Sequence, residues 1–394
     1  MTKSWLQPAQ RLHNLPPYPF ARLDEIKAQA KRQGIDLIDL GMGNPDGATP
    51  APIVQSAIQA LQEDRNHGYP PFEGTEEFRT AITDWYDRRY NVKLDPDGEA
   101  LPLIGSKEGL AHLALAYINP GDLVLVPSPA YPAHFRGPII AGAEVYELML
   151  KPENNWLIDL ESIPEAIAQR AKVMYFNYPS NPTAATAPRE FFEKIVAFAH
   201  KYQILLVHDM AYAELAFDGY RPTSLLEIPG AIDIGVEFHT LSKTYNMAGW
   251  RVGFVVGNRD VIQGLRTLKT NIDYGIFSAI QVAAKTALEL PDSYLQAVRQ
   301  RYCQRRDFLI QGLANLGWEI KKPSATMYLW IPCPNSLSST DFALDLVQQA
   351  EIIVTPGSAF GRGGEGYARI SLIADCDRLE IALKRMKQAN ICFK

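Results

Sequence analysis

Short apolar runs alternate with stretches of helical periodicity through the middle of the chain. Seven runs predict strands, at residues 101–104, 123–126, 143–148, 172–177, 204–209, 236–241 and 251–256. The stretches among and after them predict helices at residues 107–117, 131–141, 188–202 and 258–271. Strands and helices that alternate in this way predict an α/β fold with a mostly parallel sheet. A run as continuously apolar as residues 204–209 is typical of a strand that is covered on both faces.

The pattern differs at the two ends of the chain. The first 21 residues are rich in proline and predict an extended arm, and helices are predicted after it at residues 22–33, 52–63 and 75–90. A long helical stretch, 277–315, then leads into short apolar runs and a helix at 340–350, which together predict a smaller α+β unit. We expect the arm and the first helix to return to this unit. The predicted division is an N-terminal arm with a small-domain segment (1–45), a large domain (46–280) and a small C-terminal domain (281–394).

The composition is that of a folded protein and excludes several classes. Of the 394 residues 47% are hydrophobic and 21% are charged, and the net charge is −5, which argues against disorder and against a general binder of nucleic acids or anionic membranes. No apolar run approaches the roughly 18 residues of a membrane span, and the polar N-terminus lacks the apolar core of a signal peptide. The four cysteines have no C-x-x-C spacing and the seven histidines no ligand spacing. We therefore expect a reduced, cytoplasmic protein without a metal site.

A lysine motif carries the strongest chemical signal. Lys243 follows the run 236–241, stands among hydroxyl side chains and precedes an arginine by eight residues. A lysine at a strand end is costly to bury unless it has a partner or a task, and one task that fits is a Schiff base with a carbonyl cofactor. The hydroxyls of Thr240 and Ser242 and the guanidinium of Arg251 are suited to a phosphate group. Taken alone, the motif is about equally compatible with a surface loop.

Polar side chains follow two other predicted strands. Asp209 ends the run 204–209, where a carboxylate can pair with a protonated ring nitrogen such as that of pyridoxal phosphate, and Tyr212 can then donate to the ring's phenolate oxygen. Asn181 lies in a turn between two prolines, which makes a rigid mount for an amide. Taken alone, Asp209 is better explained as a helix cap and Asn181 as an ordinary turn residue.

Two further segments suit a flat, phosphorylated ligand. Gly105, Ser106 and Lys107 join a predicted strand to a helix, where backbone N–H groups cradle phosphate, although the spacing is not that of a Walker A motif. Tyr131 follows the run 123–126 and can stack on a flat ring. The glycine-rich segments 41–47 and 361–366 look like dinucleotide motifs, but neither leads from a strand directly into a helix, so that reading is rejected.

In their order along the chain, these motifs resemble those of the fold-type I pyridoxal phosphate enzymes, in particular the class I and II aminotransferases. The resemblance runs from about residue 16 to the C-terminus and is carried by GNPD, HGY, GSKEG, SNPT, HDMAY, LSKTYNMAGWRVG and YARIS. Within the class, GNPDGATP, IGSKEGLAHL and the lysine motif are most similar to bacterial alanine aminotransferases, and the LL-diaminopimelate and aspartate aminotransferases share much of the pattern. The resemblance implies a large domain with a mostly parallel, seven-stranded sheet and a smaller α+β domain.

The resemblance also implies how the cofactor, pyridoxal 5'-phosphate, is bound. Lys243 forms the covalent link and moves the proton, and Asp209 pairs with the ring nitrogen. Tyr212 and Asn181 hold the phenolate oxygen, and Tyr131 stacks on the ring. The implied phosphate ligands are Gly105, Ser106, Lys107, Thr240, Ser242 and Arg251, joined by Tyr69 of a neighbouring subunit.

The implied activity is a ping-pong transfer of an amino group between an L-amino acid and a 2-oxo acid, in a homodimer with shared active sites. Arg369 binds the substrate α-carboxylate with help from Gly43. Tyr18, Phe20 and Ile38 are expected to border the substrate side chain and to suit a small one, which favours L-alanine with 2-oxoglutarate. A second cation for an acidic side chain is not evident, since Arg22, Lys27 and Arg136 are more simply explained as surface residues.

Two alternatives stay open at this point, and a third is disfavoured. LL-diaminopimelate or aspartate is an alternative donor, and a fold-type I lyase shares most of the cofactor contacts. Some transcription regulators join an aminotransferase-like domain to a winged helix–turn–helix, but only about 20 residues precede the family-like region here, and they are too few and too rich in proline for such a module.

Overall fold

The computed structural model describes residues 6–16, 21–334 and 337–393. Its strands are β1 (Ile38–Asp39), β2 (Ala100–Leu103), β3 (Leu123–Ser128), β4 (Glu144–Met149), β5 (Ala171–Phe176), β6 (Leu205–Asp209), β7 (Gly235–Thr240), β8 (Gly253–Gly257), β9 (Tyr328–Pro332), β10 (Ile352–Ile353), β11 (Thr355–Pro356) and β12 (Tyr367–Ser371). Within the described residues, the largest sheet has seven strands in the order β2-β8-β7-β6-β5-β3-β4. Strand β8 is antiparallel to β2 and β7, and the other neighbouring strands are parallel. The predicted mostly parallel α/β sheet is confirmed.

The helices lie between the strands and at the two ends of the chain. They are α1 (Gln10–His13), α2 (Ala21–Gln33), α3 (Ala51–Leu61), α4 (Glu76–Tyr90), α5 (Ser106–Tyr117), α6 (Ala133–Ala141), α7 (Glu165–Arg170), α8 (Arg189–Tyr202), α9 (Leu241–Thr244), α10 (Arg259–Ile272), α11 (Ser278–Glu289), α12 (Asp292–Ala314), α13 (Ser339–Ala350) and α14 (Cys376–Gln388). In the described part of the chain, none of them combines the length and the hydrophobicity that crossing a bilayer requires.

The central strands are buried on both faces. On one face, Val173 and Val207 pack in an apolar core with residues of α5. On the other face, Met174 and Leu206 pack in a core with residues of α8. Successive side chains of a strand point to opposite faces, so a strand with helices on both sides needs apolar residues at every position. This explains the continuous apolar runs in the sequence.

A separate apolar core joins the two ends of the chain. Strand β1 pairs in parallel with β10, and β9, β11 and β12 form a small antiparallel sheet in the order β11-β12-β9. Ile38 is buried in this core together with Trp318 and Phe342. The segment that follows β1 is thereby held next to β12, where the predicted carboxylate-binding arginine lies.

Two predictions differ from the structure. The N-terminal arm was predicted to be extended, but it contains the short helix α1 (Gln10–His13). The stretch 277–315 was predicted as one helix, but α11 ends at Glu289 and α12 begins at Asp292. The interruption falls at Leu290, which is extended (φ −60°, ψ 140°), and at Pro291. Proline restricts the residue before it to extended conformations and has no N–H for the helix, so the chain leaves the helix at this point.

The fold gathers polar residues at one edge of the large sheet. Asp209 and Thr240 are the last residues of β6 and β7, Asn177 follows β5, and Gly105 follows β2 by two residues. The strands that carry them all point the same way, because β2 is separated from β7 by the single reversed strand β8. Ligands of open α/β sheets bind at such an edge.

Candidate active site

A cavity of about 280 Å³ opens at this edge of the large sheet. Its lining contains the following predicted site residues: Gly43, Ser106, Lys107, Tyr131, Asn181, Asp209, Tyr212, Thr240, Ser242, Lys243, Arg251 and Arg369. They come from the segment after β1, from the carboxyl ends of large-sheet strands and from β12 of the small sheet. Residues more than 300 positions apart in the sequence therefore meet in one cavity.

One end of the cavity is built for a phosphate group. Gly105 has φ +76°, and a Cβ there would lie 2.3 Å from Arg251 Nη2, so that a glycine is needed where the guanidinium approaches the start of α5. Thr240 caps α9 by accepting a hydrogen bond from the Ser242 N–H and donates its hydroxyl to the Ser242 Oγ at 2.9 Å. Helix N–H groups, two hydroxyls and cations converge here, which is the usual setting of a bound phosphate.

The cations at this end repel one another. Lys107 lies on the first turn of α5, and its pKa is lowered by burial first and then by the positive charges of Arg136 and Arg251. Arg136 lies on α6 and was predicted to be a surface residue, but it is only partly exposed. A doubly charged anion relieves this repulsion, so the cluster fits the phosphate of the predicted cofactor.

The floor of the cavity holds a carboxylate, one oxygen of which has no hydrogen-bond partner among the described residues. Asp209 is 4% exposed, and its Oδ2 lies 3.0 Å from Nε2 of the fully buried His134. Its Oδ1 is buried without a hydrogen-bond partner among the described residues. An unpaired buried carboxylate oxygen is costly unless a ligand satisfies it, and a protonated pyridine nitrogen supplies the missing donor. The site thus fits the ring of pyridoxal phosphate as well as its phosphate.

Asn177 ties the turn that carries Asn181 to the floor of the cavity. Its Nδ2 donates to the backbone oxygens of Asp209 (2.5 Å) and Pro179 (3.0 Å), and its Oδ1 accepts from the Asn181 N–H (2.7 Å). His134 and Asn177 were both missed from the sequence. For Asn177, the position directly after a predicted strand was an available signal.

Lys243 lies between the two ends of the cavity. Its Nζ donates to the backbone oxygen of Gly43 at 2.6 Å. Its pKa is lowered, mainly by burial and further by the charges of Arg369 and Arg251, while Tyr328 acts in the opposite direction. A lowered lysine pKa raises the fraction of neutral amine near neutral pH, and the neutral amine is the form that attacks carbonyl carbons and accepts protons.

The other end of the cavity is built for a carboxylate. Arg369 is buried and donates to the Asn181 Oδ1 at 2.7 Å and to the Gly41 backbone oxygen at 2.6 Å. Its guanidinium lies over the rings of Tyr328 (4.2 Å) and Phe360 (4.8 Å). Within the described residues no acidic side chain pairs with it, so its charge is available for a bidentate carboxylate ligand.

Tyr328 completes this end of the cavity and was also missed from the sequence. Its hydroxyl lies 2.9 Å from the hydroxyl of Tyr212. A Cβ on Gly43 would come within 2.0 Å of the same hydroxyl oxygen, so Gly43 lets the segment after β1 approach Tyr328. Tyr328 stands in β9, opposite Ser371 of β12, and no local sequence pattern marks it as a site residue.

Besides Gly105, four predicted substrate or cofactor residues are not among the described residues that line the cavity. Tyr69 is absent from its lining, with 83% of its surface exposed. Tyr18 and Phe20 lie outside the described residues. The prediction that Ile38 borders the substrate is wrong, because its side chain is 1% exposed and packs in the core of the small sheet. Lys27, one of the candidate cations, pairs with Asp39 at 2.6 Å and is not part of the lining either.

Comparison with known proteins identifies the class to which this site belongs. Residues 35–385 match the family of class I and II aminotransferases, and the chain belongs to that family. It is an aminotransferase that depends on pyridoxal phosphate, and its fold is the fold-type I architecture that the motifs implied.

Individual relatives extend over almost the whole chain. The chain is 50% identical over 382 residues to LL-diaminopimelate aminotransferase of Syntrophobacter fumaroxidans, covering 97% of this chain and 98% of the relative. It is 48% identical to the protein of that name from Aquifex aeolicus, covering 97% and 99%. The substrate-bound structure of BacF from Bacillus subtilis has a TM-score of 0.95 at 36% identity and 99% coverage of both chains. These relatives do not support the predicted closer likeness to alanine aminotransferases.

Proposed function

We propose that this aminotransferase takes LL-diaminopimelate as its amino donor and 2-oxoglutarate as its acceptor. The donor is supported by the activity named for the two LL-diaminopimelate aminotransferases, which are similar over their whole length. Both of these compounds carry two carboxylates, and Arg369 is placed to bind the α-carboxylate of either one. L-alanine has a single carboxylate, and its assignment rested on Tyr18, Phe20 and Ile38 and on the likeness of the motifs to alanine aminotransferases, which the relatives do not support.

The observation that carries the proposal is the likeness, over almost the whole chain, to two LL-diaminopimelate aminotransferases, and the cations at the two ends of the cavity are consistent with it. At one end, Arg369 has no acidic partner in the described chain and binds the α-carboxylate of either substrate. At the other, the cofactor phosphate takes up the positive charges of Arg251 and Lys107. Arg136 is a further cation of this region, and its positive charge lowers the pKa of Lys107. We assign Arg136 to the distal carboxylate of the substrate.

The described residues act on the cofactor in the roles that the sequence implied. The phosphate is held by Ser106, Lys107, Thr240, Ser242 and Arg251, with Gly105 leaving room for the guanidinium. Asp209 keeps the ring nitrogen protonated, Tyr212 and Asn181 hold the phenolate oxygen, and Tyr131 covers the ring. Bound in this way, the cofactor supplies a carbonyl group for the amino group and a ring that withdraws electrons from the substrate Cα.

Lys243 performs the proton transfer. Its neutral Nζ takes a proton from the substrate Cα and returns it on the cofactor side, which is general acid–base chemistry by a positioned amine. The bond from Nζ to the Gly43 oxygen fixes the direction of the side chain, and the lowered pKa keeps the amine available. The same steps in reverse, on the second 2-oxo acid, complete the ping-pong cycle.

The proposed assembly is a homodimer in which each subunit supplies Tyr69 to the other's phosphate site. Tyr69 is outside the cavity of its own chain and highly exposed. In a two-fold dimer the same surface serves both sites, so one exposed tyrosine completes two cavities.

The donor preference is tested by a side-by-side panel of amino donors with 2-oxoglutarate. The donors are LL-diaminopimelate, meso-diaminopimelate, L-alanine, L-aspartate, L-valine and L-phenylalanine, and kcat/KM is measured for each. We expect LL-diaminopimelate to have the highest value. It and its meso isomer are the donors in the panel that combine an α-carboxylate for Arg369 with a distal carboxylate at the reach of a long side chain, and the two isomers differ only in the configuration at the distal carbon, which the meso donor tests. A higher kcat/KM for alanine or aspartate would replace the proposed donor and leave the aminotransferase activity in place.

A further inference from the structure

We propose that Tyr274 positions Tyr69 for its contact with the cofactor phosphate of the partner subunit, and that the buried Lys269 ties this pair to the phosphate-binding helix α5 of its own subunit. The inference rests on the proposed dimer, since Tyr69 lies outside the cavity of its own chain. It concerns two residues that the motifs of the sequence did not mark.

Tyr69 is highly exposed, so a neighbouring side chain must hold its ring in the direction of the partner subunit. It is 83% exposed, and it follows Gly68, at which a Cβ would meet no atom within 4 Å. Within the described residues, the one ring that it contacts is that of Tyr274, at 4.5 Å between centroids and 26° between planes. A side chain that is already stacked in one direction loses less rotamer freedom when it binds, so the stack prepares Tyr69 for a ligand.

Tyr274 is itself held from two sides. Its ring lies 5.2 Å from that of Phe72, again at 26° between planes. Its backbone belongs to a turn in which the Asp273 Oδ1 accepts a hydrogen bond from the Gly275 N–H at 2.7 Å, and Gly275 has φ +78°. The stacked pair of Tyr69 and Tyr274 is therefore supported by a turn that is fixed by a hydrogen bond.

Lys269 connects this turn to the phosphate site. Its side chain is 1% exposed, and its Nζ lies 3.0 Å from both the Asp273 Oδ2 and the Glu108 Oε1. Glu108 lies on the first turn of α5, and its Oε2 accepts from the Ile104 N–H at 2.9 Å, directly before Gly105. The same ammonium thus supports the phosphate-binding turn of its own subunit and the aromatic pair that faces the other.

Two carboxylates and a histidine beside Lys269 lie as close together as the ligands of a metal site. Glu108, His112 and Asp273 place their ligand atoms within 4.8 Å of one another. The Lys269 ammonium lies between the two carboxylates and already compensates their charge. A buried ammonium needs close acidic partners, and Lys269 has two of them. A role in positioning the turn gives a reason for burying a lysine at this place.

The experiment measures how fast pyridoxal phosphate leaves the holoenzyme, by absorbance, in the presence of an excess of a scavenging apoenzyme. We expect Tyr274→Leu to release the cofactor about two- to tenfold faster, which is the factor that corresponds to one aromatic stack. Tyr274→Phe keeps the ring and should release at the parent rate. Tyr294→Leu, which removes an exposed tyrosine from α12, is the matched control and should not change the rate.

Hybrid dimers test whether the effect crosses the interface. In one hybrid, a Tyr274→Leu subunit is paired with a Lys243→Ala subunit, so the site that retains Lys243 receives its Tyr69 from a subunit with an intact Tyr274. In the other, a parent subunit is paired with a Lys243→Ala/Tyr274→Leu subunit. We expect the Lys243-containing site to release the cofactor at the parent rate in the first hybrid and faster in the second. The reverse result would overturn the proposal.

The results separate this inference from the proposed function. If Tyr69→Leu speeds release and Tyr274→Leu does not, the dimer contact stands and the positioning role of Tyr274 is wrong. If neither variant changes the rate, the contact between Tyr69 and the partner's phosphate fails, and the inference with it.

Lys269 is tested in the same hybrids with Lys269→Met. We expect faster release from both its own site and the partner site, because the ammonium supports both. Since the variant leaves two carboxylates unpaired, its thermal unfolding is compared with the parent, and Asp273→Asn serves as the milder second variant. Parent rates in both sites, in a folded variant, would contradict the role of Lys269.

Discussion

Arg369 is oriented entirely by groups that leave its charge unneutralised. The rings of Tyr328 and Phe360 lie on it, and neutral oxygens of Gly41 and Asn181 accept its hydrogen bonds. Each of these contacts fixes the plane of the guanidinium and none of them competes with an anion for its charge. A carboxylate that enters therefore meets a cation already in place, which is what preorganised binding requires.

The assignment of Arg136 predicts a loss of selectivity. In Arg136→Gln we expect kcat/KM for LL-diaminopimelate to fall by about ten- to a hundredfold, the usual effect of losing a hydrogen bond to a charged group, with little change for L-alanine. Arg170→Gln, which changes an exposed arginine on α7, is the control. An equal fall for both donors would show that Arg136 supports the fold or the phosphate and does not read the distal carboxylate.

Asp209 is predicted to act through its charge and not through its shape. Asp209→Asn keeps the size of the side chain, so the fold and the contact with His134 should persist. Because a neutral amide does not hold a ring nitrogen protonated, we expect kcat to fall by about ten- to a thousandfold, as for the loss of a paired charge worth one to three pKa units. Turnover near that of the parent enzyme would show that the charge of Asp209 is not needed for the reaction.

At the scale of single residues, a site residue could be predicted from the sequence when it belonged to a short local motif. Lys243 and Asp209 stand in short motifs at strand ends, and both were predicted. His134 and Tyr328 owe their place to partners 75 and 116 residues away, Asp209 and Tyr212, so no local pattern marks them. Ile38 was misplaced because a short apolar run does not tell whether its side chains face a cavity or a core.

Strands β6 and β7 carry a second polar cluster, which is buried and belongs to the support of the site. Glu237 in β7 accepts hydrogen bonds from His208 Nδ1 (2.8 Å), His239 Nε2 (2.9 Å) and the Leu225 N–H (2.7 Å), and also from the Tyr86 hydroxyl. Burial alone would raise the pKa of Glu237, but the hydrogen bonds and charges of the two histidines lower it well below its usual range.

This cluster predicts an acid-sensitive contribution to stability. Because the pKa of Glu237 is lower in the folded state than in the unfolded state, its contribution is present above the ordinary pKa of 4.5 and is lost as the pH falls below it. At pH 7 we expect Glu237→Gln to lower the free energy of unfolding by about 3 kcal/mol, as for other broken buried pairs, and the difference from the parent should shrink below pH 4.5. Urea unfolding across this pH range is the measurement.

The matched control for this cluster is Glu190→Gln, which changes an exposed glutamate in the first turn of α8. It should leave the stability within about 0.5 kcal/mol of the parent at each pH. A loss for Glu237→Gln that does not depend on pH would show that packing, and not the charge of Glu237, accounts for the effect.

At the scale of elements, hydrophobic periodicity was sufficient for the large sheet. Every predicted strand from 101 to 256 overlaps an observed one, because each is a continuous apolar run between helices. The pattern stayed helical through residues 277–315, but Pro291 divides this stretch into two helices. The proline was visible in the sequence, so this boundary could have been predicted. The pairing of β1 with β10 was beyond a local pattern, because the two strands have two residues each and lie more than 300 positions apart.

For the whole molecule, the exposed aromatic rings of Tyr69, Phe72 and Tyr274 agree with a protein that is completed by a second copy. Large aromatic side chains that remain together on a surface are typical of interaction sites. The domain boundaries at residues 45 and 280 and the cytoplasmic setting stay predictions.

Sedimentation of the holoenzyme is predicted to show twice the mass of one chain. Dilution should lower the activity per subunit once the dimer dissociates, because each cavity then loses the tyrosine that the partner supplies. Tyr294→Leu, which changes an exposed tyrosine on α12 that is not one of these three rings, should leave the dissociation unchanged. A monomer that retains full activity per subunit would contradict the shared site.

The long-range hydrogen bonds of the cavity imply an order in which the parts of the site become available during translation. Residues 105–251, which form the phosphate end, are translated well before Arg369. The bonds from Lys243 to Gly43 and from Arg369 to Gly41 close loops of 200 and 328 residues, and the second waits for β12 to emerge. Because Arg369 is synthesised after every residue of the phosphate end, a growing polypeptide lacks its ligand for the substrate α-carboxylate until β12 has emerged.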